Sequence, residues 1–281
     1  FFYTIIAVVV PVAIGWFLES NGVDARVHRQ YRIITGMVFL ITIGASAVCF
    51  KGTFGNPAQK KYVFFKFHPL WYRLLFLALL KGLAQGFLVT APAMLIMLLL
   101  GKEGALGTAQ SIGAIIAAIL MYLVGRLSKP SDRIKTFAAG LILFAIAAIL
   151  NGILFNALGV ILFMLFLLVA KPLLDLAYFP IQFRVIDIVS KIENRGEFAY
   201  ILNHEAGLYI GRFLGAGTFL VLAYAISTEI ALRYAIIIIA GLQLYSIAVA
   251  KRIIKEGAEL SGEIKPVQSA AITEKVILGE V

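Results

Sequence analysis

Residues 161–170 read ILFMLFLLVA, and the chain then continues Lys171-Pro172-Leu173-Leu174-Asp175 before apolar character resumes at Leu176. A transmembrane β-strand alternates polar and apolar residues in units of about ten, and this run does not alternate. Neither does 115–124, IIAAILMYLV. Both therefore read as helix, and each sits in a stretch long enough to cross a hydrocarbon core, which takes about 20 mostly apolar residues. Working outward, eight stretches qualify: Phe1–Leu18, Ile33–Phe50, Leu70–Leu100, Leu106–Val124, Phe137–Phe155, Ala157–Phe179, Ala206–Ile226 and Ala231–Ala250. The expected fold is all-α, a polytopic transmembrane helical bundle of eight spans.

Composition agrees. Of 281 residues, 61% are hydrophobic and 14% charged, whereas soluble domains are about a quarter charged. A soluble globule of this size could not hide so much apolar surface, which excludes a cytosolic enzyme, a secreted module and a disordered chain. The balance of 25 Lys and Arg against 15 Asp and Glu gives +10. In a soluble protein that excess would suggest nucleic acid; here the basic residues lie between apolar runs, so topology explains them and no nucleic-acid partner is expected. Cys49 is the one cysteine, which excludes an internal disulfide and a multi-cysteine metal site. The chain opens on Phe1 inside an apolar run, without a charged signal-peptide start, so an N-terminal part is expected to be missing.

Basic residues favour the cytoplasmic face. One set of connections holds Lys51, Lys60, Lys61, Lys66, Arg73, Arg126, Lys129, Arg133, Lys135, Arg184, Lys191, Arg195, Lys251, Arg252 and Lys255; the other holds Arg26, Arg29, Arg32, Lys102 and Arg233. The richer set is placed inside, so both ends of this chain are expected in the cytoplasm of a bacterial inner (plasma) membrane. Gly52, Gly55, Asn56 and Pro57 mark a boundary in the connection 51–69. Its aromatic and basic Tyr62–Tyr72 stretch reads either as an interfacial belt or as an amphipathic regulatory helix. The division is 1–50, two helices; 51–69, a long connection; 70–251, a six-helix block; and 252–281, a polar tail expected to be disordered.

The residues that carry chemistry are charges inside the apolar runs, where charge is costly and usually functional. Lys81 lies near the middle of its span, followed by Gln85, with Gly82 and Gly86 opening space for a backbone or a ligand. It either faces a cavity and attracts an anionic group, or is neutralised by a carboxylate from outside the chain. Lys171 and Asp175, four apart, share a helix face; they either satisfy each other or form a titratable pair in a transport path. Arg212 sits on a ridge of Gly207, Gly211 and Gly215 suited to close helix contact, with Asp175 or Glu205 as expected partner. His204 beside Glu205 reads as an interfacial histidine at a helix entrance, or as a proton relay. His28, His68 and His204 are scattered, so no metal is expected. No phosphate loop, nucleophile elbow or zinc-protease helix occurs, so neither ATP-driven chemistry, an organic cofactor nor an enzyme is expected.

The connection Gly125-Arg-Leu-Ser-Lys-Pro-Ser-Asp-Arg-Ile-Lys135 resembles the cytoplasmic G-x-L-x-D-R-x-G-R signature of the major facilitator superfamily, in its second-half copy. Lys129 occupies the usual aspartate position, Asp132 comes later, and the final glycine is absent. The resemblance implies a partial facilitator fold. Residues 1–50 would be helices five and six, 51–69 the central cytoplasmic loop and 70–251 helices seven to twelve, with one to four absent. It places Lys81, Gln85, Lys171 and Asp175 in a central cavity, and Arg126, Asp132, Arg133, Glu205 and Arg212 in a charge network that gates the cytoplasmic side or serves structure. The first and fourth helices of the block each carry a lysine and a proline, as expected of repeated transporter halves. The function implied is a secondary active transporter, a permease working as symporter or antiporter by alternating access, moving a small anionic or polar solute coupled to protons. The alternatives are a polytopic membrane enzyme acting on lipid and a non-transporting scaffold or sensor.

Overall fold

The structure, a computed structural model, describes residues 2–19, 24–53, 64–101, 103–127 and 129–277. Among them there is no strand. The helices are α1 (Phe2–Glu19), α2 (Asp24–Lys51), α3 (Pro69–Leu88), α4 (Ala91–Leu99), α5 (Glu103–Leu127), α6 (Arg133–Leu154), α7 (Ala157–Glu193), α8 (Glu197–Ala225), α9 (Thr228–Ile230) and α10 (Ile236–Ile277). A 3-10 turn, Pro130–Asp132, precedes α6, and a π-helical turn, Ala231–Ala235, joins α9 to α10.

Seven described helical stretches are long and apolar enough to span a membrane: Arg29–Lys51, Pro69–Leu99, Gly104–Leu127, Arg133–Leu154, Ala157–Glu193, Glu197–Ala225 and Thr228–Gly262. The first expected span is shorter, an apolar helix over Ile5–Glu19. The protein is an all-α, multi-pass membrane protein.

Several boundaries differ from the sequence expectation, most of them because helix outlasts apolar sequence. Arg26, Arg29 and Arg32, expected in a loop, lie on the opening turns of α2. Helix α8 begins at Glu197 rather than Ala206, and α7 runs through Pro172 and Pro180 to Glu193. There Asn194 takes the left-handed conformation (φ 49°) that ends the helix. The polar tail expected from Arg252 is instead helical through Ile277. Val249, Ile253 and Gly257 recur every four residues; Ile253 is buried, and Ile254 and Leu260 pack beside it, so this face belongs to the core. Between α3 and α4 the helix breaks at Val89–Thr90, where Thr90 N–H donates to Phe87 O at 3.3 Å. Pro92 explains the break, since its ring lacks an N–H and collides with the carbonyl four residues back. The central part of the expected loop, 54–63, lies outside the described residues.

The chain forms two compact units, Phe1–Lys60 with Ala93–Ala118, and Lys61–Pro92 with Ile119–Val281. In the first, Val12 N–H donates to Ser111 Oγ at 3.1 Å and Trp16 Nε1 to Thr108 Oγ1 at 3.2 Å. Gly107 lies against the backbone of Pro11 and Gly15.

In the second unit α3 packs along α8 and α6 along α7, with α10 against α3, α6 and α7. The glycine ridge is the α3–α8 contact. A Cβ on Gly82 would overlap Leu208 O, on Gly86 the Arg212 backbone, on Gly211 Leu79 O and on Gly215 Leu83 O. The space at Gly82 and Gly86 is therefore taken by the backbone of α8, and no ligand enters there. One end of the unit holds a core of Leu70, Trp71, Leu74, Phe137, Tyr178, Ile181, Val185, Tyr200 and Ile253. Trp71 Nε1 donates to Asn203 Oδ1 at 2.8 Å, and Arg73 pairs with Glu256.

Candidate functional site

Above that core, within the membrane-spanning part of the second unit, α3, α6, α7, α8 and α10 surround a cavity of about 450 Å³. Its apolar wall is Phe137, Leu141 and Phe144 of α6, with Leu77, Leu167 and Leu174. Its polar wall is Lys81 and Gln85 of α3, Lys171, Asp175 and Tyr178 of α7, Arg212 of α8, and Gln243 and Ser246 of α10. All four residues expected in the cavity, Lys81, Gln85, Lys171 and Asp175, are thus brought together.

Their pairing differs from the sequence reading. Lys81 Nζ lies 3.0 Å from Asp175 Oδ1, so the ion pair is between helices. Lys171 and Asp175 do not satisfy each other. The carboxylate turns across to α3, where the same ammonium also sits 3.9 Å from the Tyr178 ring centroid and 4.5 Å from that of Phe179. An ammonium over aromatic faces gains a further attraction. Lys171 is exposed and makes no hydrogen bond or ion pair among the described residues.

Arg212 pairs with neither Asp175 nor Glu205. Because α8 starts nine residues earlier than its apolar run, Arg212 lies deep in the bundle, and its Nε donates to Gln85 Oε1 at 3.0 Å. The expected gate is likewise dispersed. Arg126 donates to Tyr122 Oη at 2.9 Å; Asp132 accepts from the Lys129 N–H at 3.3 Å and lies 3.8 Å from Lys135 Nζ; Arg133 lines a small hollow with Arg184 and Ile253. Glu205 stands apart from them, 3.6 Å from His204 Nδ1. Asp132 meets only its sequence neighbours, in the turn before α6 and on the first turn of α6, and among the described residues no hydrogen bond or ion pair joins these five groups to one another.

Three participants were not singled out as cavity residues. Gln243 donates its amide to Leu80 O across α3. Ser246, 1% exposed, has a buried hydroxyl without a hydrogen-bond partner. Tyr178 Oη lies 2.7 Å from His204 Nε2. His204 is itself buried, and not at the helix entrance, because the helix begins two turns before it. A polar residue recurring at α10's cavity-facing positions, Gln243 and Ser246, was the available signal for the first two. Among the described residues no group of His, Cys, Asp and Glu could hold a metal ion.

The lining carries three cations, Lys81, Lys171 and Arg212, against one carboxylate, Asp175. One cation is cancelled by that carboxylate, which leaves an excess of positive charge inside a low-dielectric wall. Unpaired charge in such a place is costly unless water or a counter-charge reaches it. Fold and cavity together define a multi-pass helical membrane protein with a cationic chamber in its spanning region. No family model, curated protein or solved structure matches the chain.

Proposed function

We propose that the chain is the working part of a secondary active transporter of the major facilitator type, which carries a small anionic solute through the 450 Å³ chamber by alternating access. The observation that carries this reading is Lys171. It is a cation with no hydrogen-bond or ion-pair partner among the described residues, on a membrane-spanning helix, and it lines a chamber whose other cations are already engaged. Lys171 and the free NH2 groups of Arg212 receive the anion; Gln243 and Ser246 add polar contacts; the Phe137–Phe144 wall meets its apolar part. Asp175, released from Lys81 when an anion takes its place, accepts the coupling proton. The basic groups gathered at one end of the unit, Lys66, Arg73, Arg133, Arg184, Arg195 and Arg252, favour the cytoplasmic face there, in a bacterial inner membrane.

The test is a thermal-stability screen of the purified chain against inorganic phosphate, succinate and glutamate, with glucose as the neutral contrast. A ligand at about 100 times its Kd adds about 2.7 kcal/mol to stability, so a true solute is visible. At least one anion raises the midpoint, Lys171→Gln abolishes that rise, and the same anion accumulates in proteoliposomes under an imposed proton gradient. Stabilisation by glucose alone, or anion uptake indifferent to Lys171→Gln, refutes the assignment.

A further inference from the structure

His204 has a surrounding that the transport reading does not require. It is 2% exposed, in the middle of the α3–α7–α8 packing, where an apolar side chain would fill the space without desolvating two ring nitrogens. Both nitrogens instead meet polar groups. Nε2 lies 2.7 Å from Tyr178 Oη, while Nδ1 lies 3.3 Å from Gln182 Nε2 and 3.6 Å from Glu205 Oε1.

The two sides of the ring lead to different places. Tyr178 lines the cationic chamber. Glu205, with a half-exposed side chain, lines a second hollow of about 370 Å³ together with Phe64, Phe67, Leu202 and Tyr209. Neither hollow shares a lining residue with the other. The buried imidazole is the group between them.

We propose that Glu205, His204 and Tyr178 form a proton relay from the Phe64–Tyr209 hollow to the chamber. Imidazole suits this, since it takes a proton at one nitrogen while releasing one from the other. The step balances with one proton moved. The Glu205 O–H bond breaks as an N–H bond forms at Nδ1; the Nε2–H bond breaks as an O–H bond forms at Tyr178; the proton Tyr178 held passes to Asp175 or to chamber water. His204 and Tyr178 return to their starting charge, Glu205 is left a carboxylate that takes its next proton from water in the Phe64–Tyr209 hollow, and a ring turn resets His204. Glu205 has to close by about half an ångström to reach hydrogen-bond length. The other charged and polar groups around the path are Lys81 from α3, over the Tyr178 ring, Asp175 and Gln182 from α7, and Arg212 further along α8. The relay supplies the coupling proton of the transporter reading and so rests on it.

The experiment is a pH step, without solute, applied to proteoliposomes of the full chain on a solid-supported membrane, with the displaced charge recorded as a transient current. His204→Gln keeps an amide able to bond both neighbours but cannot pass a proton; Tyr178→Phe keeps the ring beneath Lys81; Glu205→Gln cannot donate. Each is accepted after monodisperse elution and wild-type circular dichroism, with His204→Asn standing in should His204→Gln not elute. The wild type gives a transient, and each variant reduces or slows it by about a hundredfold or more, the scale of a lost acid–base partner. A wild-type transient in any of the three, or none in the wild type, overturns the relay. Loss in Asp175→Asn alone also overturns it, because the proton then enters through the chamber. No solute is used, so anion stabilisation through Lys171 fails or stands independently of this result.

Discussion

Replacing Asp175 by Asn tests the ion pair at the centre of the chamber. The substitution keeps volume and hydrogen-bonding capacity but leaves Lys81 as an ammonium without its counter-charge. Removing one partner of a buried pair costs about 3–5 kcal/mol. Two features lower that figure here. The side chains retain 17% and 25% of their exposure, and the Tyr178 and Phe179 rings still face the ammonium, a contact worth about 1–2 kcal/mol when desolvated. The expected loss is thus about 2 kcal/mol, or roughly 4–8 °C in midpoint for a chain of this size. Lys81→Met should cost less, about 1 kcal/mol, because Lys171 one turn away on α7 can turn to Asp175. No second carboxylate among the described chamber residues can do the same for Lys81. The double variant Lys81→Met/Asp175→Asn should recover to within about 1 kcal/mol of the wild type, because removing both charges together leaves neither buried without its partner. Thermal stability followed by size-exclusion chromatography in detergent measures all three. Equal losses in the two single variants, or a double variant as unstable as Asp175→Asn, would refute the reasoning.

Glycine substitutions on α8 should separate by what each Cβ meets. Gly211→Ala drives a methyl into the Leu79 carbonyl and should cost about 3 kcal/mol, the upper range for overpacking, since backbone cannot give way; Gly207→Ala meets a movable Leu75 methyl at 3.2 Å and should be neutral or better in the same melting assay. Arg233 donates to Gly152 O at 2.6 Å and Ile153 O at 3.4 Å, closing the C-terminal turn of α6. Arg233→Ala should therefore lower stability by about 1–2 kcal/mol, with faster hydrogen exchange confined to the end of α6; uniform exchange changes would contradict the capping role.

The helices were legible in the sequence because uninterrupted apolar runs of spanning length have one structural solution in lipid. Their ends were not. Glu197, His204 and Glu205 lower the hydropathy of the first turns of α8, yet backbone hydrogen bonding carries the helix through them. That displacement hid both the burial of His204 and the depth of Arg212. Lys81, Lys171 and Asp175 announced themselves as charges where charge is expensive, and they do share a chamber. Their pairing was illegible, since spacing along one helix identifies Lys171 as the neighbour of Asp175 but says nothing of Lys81 arriving from α3. The ridge of Gly207, Gly211 and Gly215 was readable as an interface, but only the packed helices show that Gly82 and Gly86 are its other half. The tail was misread because the apolar positions Ile253, Ile254 and Leu260 are diluted by charge.

The π-helical turn Ala231–Ala235 sets the phase of everything after it on α10. A π turn accommodates one residue more than an α turn, and one residue is about 100° of rotation. Gln243 and Ser246 owe their direction toward the chamber to that surplus residue. Shortening the turn by a single residue would leave composition, hydropathy and helix length almost unchanged while swinging both side chains off the chamber wall. The lining of this cavity is therefore indexed by counting, and an insertion or deletion several turns away can rewrite it without touching any residue that faces it.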